Sequence, residues 1–119
     1  MSARDELRER LGRYRQITIM VIGRKSGKKI PRPVWFVLED TKLYLLPVEG
    51  SDTQWYKNVH KNAWIRIEAR EVGADLKAAP ITSKQAVESV VEKFREKYGA
   101  GDVKKYYSKF NVAVLVNLA

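Results

Sequence analysis

Hydrophobic and polar residues alternate over several short stretches of the chain, and a period of two is the pattern of half-buried β-strands. The clearest case is residues 64–69, where Ile65, Ile67 and Ala69 fall on one face and more polar side chains on the other. We predict six strands, over residues 17–22, 34–38, 43–48, 64–69, 74–81 and 112–118. Most of them are joined as hairpins, so the pattern predicts a mainly β (α+β) protein with a six-stranded antiparallel barrel and flanking helices.

A period near 3.6 residues marks the segments between these strands. The strongest helix prediction covers residues 82–98, where Thr82 and Gln85 are expected to form a capping box and Gly99 to end the helix. Its predicted buried stripe consists of Ala86, Val87, Val90, Val91, Phe94 and Tyr98. Further helices are predicted over residues 2–11 and 53–61, with a helical turn over 102–109.

The charge of the chain is large and unevenly placed. Its 119 residues are the size of one ordinary domain, and we predict a single domain over residues 1–119. The 23 Lys and Arg residues outnumber the 14 Asp and Glu residues, which gives a net charge of +9. Residues 10–38 contain many cations and no acid. A field of one sign attracts anions, so the candidate partners are nucleic acid, an acidic membrane surface, or a phosphorylated or carboxylated small molecule.

The residue types exclude several chemistries. With no Cys and a single His, the chain cannot build a disulfide framework, a Cys–His nucleophile or a multi-His metal site, and we predict no metal. The N-terminal segment lacks the apolar core of a secretory signal. The apolar run at residues 17–22 is far shorter than the roughly 20 residues that cross a bilayer, so we predict a cytoplasmic protein with no membrane span. An enzyme of this composition would take its chemistry from a cofactor.

Residues 23–29, Gly-Arg-Lys-Ser-Gly-Lys-Lys, concentrate cations in a glycine-bracketed turn that leads towards an apolar strand. One interpretation is a solvated hairpin tip. The other is an anion cradle, in which Gly23 and Gly27 adopt positive φ and expose backbone N–H groups beside Arg24, Lys25 and Ser26. The loop is not a Walker A motif, because its second Gly comes too early and a strand follows it where a helix is required.

Three motifs together resemble the deazaflavin-dependent nitroreductase family. They are Gly-Arg-Lys-Ser-Gly at residues 23–27, Pro-Val-Trp-Phe at 33–36, and Trp-Tyr-Lys-Asn-Val-His-Lys-Asn at 55–62. The resemblance implies a split β-barrel related to the FMN-binding oxidoreductases and a bound deazaflavin coenzyme F-420, with FMN as the alternative cofactor. It also implies hydride transfer between that cofactor and a small acceptor such as a quinone or a nitroaromatic, and it implies a homodimer.

On this resemblance the basic loop holds the anionic tail of the cofactor and the strands hold its ring. The implied cofactor-binding residues are Gly23, Arg24, Lys25, Ser26, Gly27, Lys28, Arg32, Pro33, Val34, Trp35, Val48, Trp55 and Asn58. The chain departs from the family pattern at residues 47–51, which replace a small-residue loop near the ring, and at Asn62-Ala63, which replaces Asn-Pro. The family's usual Arg is here Ile30, and Arg32 follows two residues later, a spacing that keeps the same strand face.

Other roles stay open for this sequence. Charge and aromatic residues also suit a small basic barrel that binds single-stranded nucleic acid without catalysis, and the fold also suits a cofactor-free structural protein. Trp35 is predicted to point away from the core face of the barrel, and His60 to lie at the surface. No residue matches a catalytic Tyr; Tyr98, Tyr106 and Tyr107 are candidates by residue type, and packing is their expected role.

Overall fold

A computed structural model describes residues 2–119. Over this range the chain forms seven β-strands, four α-helices and one short 3-10 turn at Gly50–Asp52. The strands are β1 (Ile17–Ile22), β2 (Lys29–Val34), β3 (Phe36–Glu39), β4 (Lys42–Leu45), β5 (Trp64–Ala69), β6 (Val72–Ile81) and β7 (Ala113–Asn117). The helices are α1 (Ala3–Leu11), α2 (Gln54–Lys61), α3 (Lys84–Tyr98) and α4 (Ala100–Tyr106).

The strands form one antiparallel sheet in the order β2-β1-β5-β6-β7-β4-β3. The long strand β6 joins its two halves, because Val72–Lys77 pair with β5 and Ala78–Ile81 pair with β7. The two edge strands, β2 and β3, follow each other directly in the chain, so the sheet must curl into a half-barrel for its edges to meet. The predicted antiparallel, barrel-like sheet with flanking helices is therefore confirmed.

The prediction of six strands was wrong at one place. A single strand was expected over residues 34–38, but the chain forms β2 and β3 with a break at Trp35, and the sheet has seven strands. The predicted strand began at residue 34, so β2 was missed; it contains Pro31 and Pro33, and proline cannot donate a hydrogen bond to a neighbouring strand. They are accommodated because β2 pairs only with β1, at the edge of the sheet.

The best-predicted helix is present with a different cap. Ser83, not Thr82, is the N-cap of α3, and its hydroxyl accepts a hydrogen bond from the N–H of Ala86 at 3.3 Å. The predicted stripe is buried at Val87, Val90, Val91, Phe94 and Tyr98, and Ala86 is half-buried. The other predicted helices and strands are also present, with ends that differ by a few residues.

The core consists of two clusters that correspond to the two sides of the curled sheet. The larger one collects the alternate residues of β1 and β5 with Leu7 and Leu11 of α1. The smaller one lies under α3 and α4, and Trp35 packs against it, outside the larger cluster. Within residues 2–119 no helix is both long enough and apolar enough to cross a membrane.

Candidate functional site

The basic loop between β1 and β2 is a tight turn closed by its own backbone. The N–H of Gly23 donates to the carbonyl of Lys28 at 2.8 Å, and the N–H of Gly27 donates to the carbonyl of Gly23 at 2.8 Å. The hydroxyl of Ser26 accepts from the N–H of Lys28 at 3.2 Å. Gly27 has the predicted positive φ of 71°, whereas Gly23 does not. Gly23 is needed for space, since a Cβ there would lie 2.5 Å from Oγ of Ser26.

Helix α2 clamps this loop through one buried amide. Asn58 is 5% exposed, and its Oδ1 accepts from the backbone N–H of Arg24 at 3.1 Å and from its Nη1 at 2.8 Å. Nη2 of Arg24 donates to Oε1 of Gln54 at 2.7 Å, and Nζ of Lys61 donates to the carbonyl of Arg24 at 2.8 Å. Arg24 is therefore mainly the link between the loop and α2.

These bonds change the interpretation of the loop as a cradle of free N–H groups. The backbone N–H groups of Gly23, Arg24, Gly27 and Lys28 all have acceptors inside the protein. In residues 2–119 the side chain of Lys25 forms no ion pair, nor does that of Lys28. The N–H groups of Lys25 and Ser26 have no acceptor within residues 2–119, so an anion at the loop would meet these two backbone donors together with the exposed ammonium groups.

A polar cavity of about 290 Å³ opens between the loop, β2 and α2. Its lining consists of Gly23, Arg24, Lys25, Ser26, Ile30, Arg32, Gln54 and Asn58. Because Oδ1 of Asn58 accepts from two donors, the orientation of this amide is defined and Nδ2 is its donor. Nδ2 has no acceptor in residues 2–119, yet no fully enclosed side-chain polar atom of that range lacks a partner. Nδ2 of Asn58 therefore remains accessible from the cavity.

A wider outer groove of about 620 Å³ lies along the other side of the same loop. It runs from Ile22 and Gly27 of the loop to Lys61, Asn62 and Ala63, where α2 leads into β5. Basic side chains thus border both sides of the turn.

An aromatic cavity of about 260 Å³ lies next to the polar one, and Arg32 lines both. Its other lining residues are Pro33, Val34, Trp35, Leu46, Val48, Thr53, Trp55, Tyr106 and Tyr107. The break between β2 and β3 positions Trp35 here, and the start of α2 supplies Trp55. The two cavities therefore adjoin at Arg32, and we call them the polar end and the aromatic end of the candidate site.

A stack of three rings holds Trp35 in place. The indole lies between Tyr98, at a centroid distance of 4.3 Å, and Tyr106, at 4.6 Å, with the planes within 13° of parallel. The hydroxyl of Tyr98 accepts from the N–H of Phe36 at 3.0 Å and lies 2.7 Å from the carbonyl oxygen of Arg15. Burial raises the pKa of Tyr98 above its usual value, so this hydroxyl stays protonated.

Two further groups beside this stack have displaced pKa values. Burial, reinforced by Arg15, lowers the pKa of Lys97 to about 8, although its Nζ donates to the carbonyl of Phe36 at 2.8 Å. Burial raises the pKa of Tyr107 well above its ordinary range. Both shifts are desolvation effects, which disfavour the charged form of each group.

The structure brings most of the predicted site residues together. The polar cavity or the outer groove is lined by Gly23, Arg24, Lys25, Ser26, Gly27, Arg32 and Asn58. The aromatic cavity is lined by Pro33, Val34, Trp35, Val48 and Trp55. Lys28 lines none of the three. Ile30 and Arg32 line the same polar cavity, as their two-residue spacing predicted. His60 lies on the exposed side of α2.

Sequence reasoning missed several lining residues. Gln54 and Thr53 begin α2, and Tyr106 and Tyr107 end α4, so all four depend on where distant helices pack. The adjacent tyrosines were a visible signal, but their spacing carried no information about a cavity formed with β2.

Comparison with known proteins identifies one matching family and one shared fold. Residues 7–114 match the model of a family described as an uncharacterized protein conserved in bacteria (DUF2255). No curated protein matches the chain in sequence.

Several solved structures share the fold at low sequence identity. An F-420-H2 dependent reductase (FDR-A) has a TM-score of 0.67 and 21% identity, over 87% of this chain and 94% of its own. A domain-swapped dimer has a TM-score of 0.68 and 21% identity, over 98% and 100%. The heme storage protein HutZ from Vibrio cholerae has a TM-score of 0.70 and 13% identity, over 98% and 90%. These likenesses show a split-barrel-like fold, in which proteins with different cofactors occur.

Proposed function

This chain belongs to the DUF2255 family and has a split-barrel-like fold, and on that premise we propose that it is an oxidoreductase that binds the deazaflavin coenzyme F-420. FMN is the alternative cofactor. The reaction is the transfer of a hydride between the cofactor and a small acceptor such as a quinone or a nitroaromatic.

One observation carries the proposal: a cationic cavity and an aromatic cavity adjoin, and Arg32 lines both. A ligand that fills the two together has a planar ring and an anionic extension. Nucleic acid also has rings and charge, but Trp35 and Trp55 lie in a cavity of about 260 Å³ beside the loop, which suits one ring more than a run of stacked bases.

The residues of the polar end fit an anionic group. Lys25 supplies a positive charge with no carboxylate paired to it in residues 2–119, and Nδ2 of Asn58 is a donor without an acceptor. Arg32 offers its exposed guanidinium at the junction, where Nη1 also donates to the carbonyl of Pro31 at 2.8 Å. A phosphate or carboxylate placed here would receive charge-assisted hydrogen bonds.

The residues of the aromatic end fit a flat ring. Trp35 is fixed by its stack on Tyr98, and Trp55 is 6% exposed, so both walls are ordered before a ligand arrives. A bound deazaflavin supplies the hydride chemistry. The protein's part is to orient the ring, to exclude water from it and to leave room for the acceptor.

We further propose that the protein is a homodimer. A protein of the same fold is a domain-swapped dimer, and sedimentation equilibrium on this chain would measure its own state. A monomer at micromolar concentration would exclude this part of the proposal.

The test is titration of the purified protein with F-420 and with FMN, followed by calorimetry. We expect Lys25→Ala to weaken binding by about 1 to 3 kcal/mol, the scale of a lost charge-assisted hydrogen bond. Lys84→Ala, which removes the same charge from the exposed start of α3, should leave the affinity unchanged. Equal affinity in Lys25→Ala and wild type would mean that the loop is a solvated tip.

Asn58→Asp separates binding from folding. It keeps the oxygen that accepts from Arg24 and replaces the Nδ2 donor by a second carboxylate oxygen, so the fold should persist while an anionic ligand is repelled. Activity is measured by mixing reduced F-420 with a panel of quinones and nitroaromatics and following its oxidation. Binding to a single-stranded oligonucleotide near physiological salt is measured in parallel. Tight oligonucleotide binding without cofactor binding or turnover would favour the nucleic-acid alternative.

A further inference from the structure

We infer that the hydroxyl of Tyr107 is the hydrogen-bond donor that recognises an acceptor atom on the edge of the ring held in the aromatic cavity. The inference rests on the proposed function and defines its ligand more narrowly. The ring must carry a carbonyl oxygen or an unprotonated ring nitrogen on the edge that meets Tyr107, so a purely hydrocarbon ring is a poor ligand.

The first observation is that this buried hydroxyl has no partner. Tyr107 is 3% exposed and lines the aromatic cavity, yet its hydroxyl forms no hydrogen bond within residues 2–119. It is not sealed in the core either, because no fully enclosed side-chain polar atom in that range lacks a partner. The hydroxyl therefore keeps some accessible surface, and the aromatic cavity is the cavity that Tyr107 lines. A buried polar group without a partner is unfavourable, and a ligand that pairs with it removes that cost.

The second observation is the contrast with the neighbouring tyrosines. Tyr98 is buried to a similar extent, at 5% exposure, but its hydroxyl is occupied by the backbone of Phe36 and Arg15. Tyr106 is 48% exposed and can bond to water. Only the hydroxyl of Tyr107, among these three, is both desolvated and unused.

The third observation is that the ring of Tyr107 is held firmly. It packs edge-on against Trp35 at a centroid distance of 6.0 Å and edge-on against Phe94 at 6.0 Å. A donor on a fixed ring selects the position of its acceptor, whereas a mobile one does not. Since burial raises the pKa of this hydroxyl, it stays protonated at neutral pH and donates.

The experiment compares Tyr107→Phe with wild type in titrations with FMN and F-420. We expect the variant to bind the cofactor that wild type accepts about tenfold more weakly, the effect of one lost hydrogen bond. In vibrational spectra of the bound cofactor, a ring carbonyl band should move to higher wavenumber in Tyr107→Phe, because its hydrogen bond is gone. Without ligand, the melting temperature of the variant should equal or exceed that of wild type. Tyr14→Phe, on the opposite cluster, is the control and should change none of these.

The possible outcomes distinguish failure of this inference from failure of the proposed function. If wild type binds a cofactor and Tyr107→Phe binds it equally well with an unmoved carbonyl band, the inference is wrong and the proposed function stands. If unliganded Tyr107→Phe melts below wild type, the hydroxyl has a partner inside the protein, and the inference is again wrong. If wild type binds neither cofactor, the proposed function is refuted and the inference falls with it.

Discussion

The bond between Asn58 and the basic loop gives the sharpest prediction about stability. We expect Asn58→Ala to lower the free energy of unfolding substantially, because one buried oxygen accepts both the N–H and the guanidinium of Arg24, at 3.1 and 2.8 Å. A neutral hydrogen bond contributes about 1 kcal/mol and one to a charged group about 1.5 to 3. The expected loss is therefore about 2.5 to 4 kcal/mol, a large part of the roughly 5 to 15 kcal/mol that stabilises an ordinary domain.

The assay is urea unfolding followed by tryptophan fluorescence, with linear extrapolation to water. For a chain of this size a loss of 1 kcal/mol lowers the melting temperature by about 4 °C, so the variant should melt roughly 10 to 15 °C below wild type. Gln54→Ala is the matched control, since Gln54 bonds the same guanidinium from an exposed position, and its cost should stay below about 1 kcal/mol. Hydrogen exchange of the Arg24 amide should accelerate in Asn58→Ala.

Either of two results would contradict the prediction for Asn58→Ala. One is a loss below about 1 kcal/mol in Asn58→Ala, which would mean that water replaces the amide oxygen without cost. The other is an equal loss in Gln54→Ala, which would mean that the guanidinium position, not the buried oxygen, holds the loop to α2.

Three further predictions concern the stack and the turn. Tyr98→Phe leaves the buried N–H of Phe36 without its acceptor and should cost about 1 to 3 kcal/mol in urea unfolding; an unchanged midpoint would contradict this. Lys97 has a pKa of about 8 in the folded protein, below its ordinary value of 10.5, so the unfolded chain binds more protons between these values and wild-type stability should rise with pH there. Lys97→Met should lose this rise in thermal scans at pH 7.5 to 9.5. Gly23→Ala sets a Cβ 2.5 Å from Oγ of Ser26 and should cost about 1 to 3 kcal/mol, partly recovered by adding Ser26→Ala.

Local periodicity predicted much of the secondary structure. Strands β1 and β5 have the predicted bounds, and their alternate residues are buried as the alternation indicated. Helix α3 buries the predicted stripe. These predictions succeeded because the spacing of apolar residues within one helix or strand indicates which of its faces packs against the core. Thr82 was predicted as the cap because Gln85 follows it by three residues, whereas in the structure α3 begins at Lys84 and Ser83 is its cap.

The break between β2 and β3 could not be predicted from local periodicity. The predicted turn ended at residue 29 and the predicted strand began at residue 34, with no element assigned between them. In the structure residues 29–34 form a strand at the edge of the sheet, paired with β1. Whether a strand lies at the edge or in the centre of a sheet depends on which other strands pair with it, so its position is a property of the whole sheet. The seventh strand and the placement of Trp35 follow from that global arrangement.

The candidate site divides in the same way. The acid-free, cationic loop and the motifs at Pro33 and Trp55 are visible in the sequence, because charge and residue type belong to single positions. That Arg24 is tied to Asn58, 34 positions away, and that Tyr107 lines a cavity formed with β2, are relations between distant segments. Hydrogen-bond partners and enclosure exist only when such segments pack together, so the sequence determined the charges and faces of this protein, and the tertiary structure decided which donors were left for a ligand.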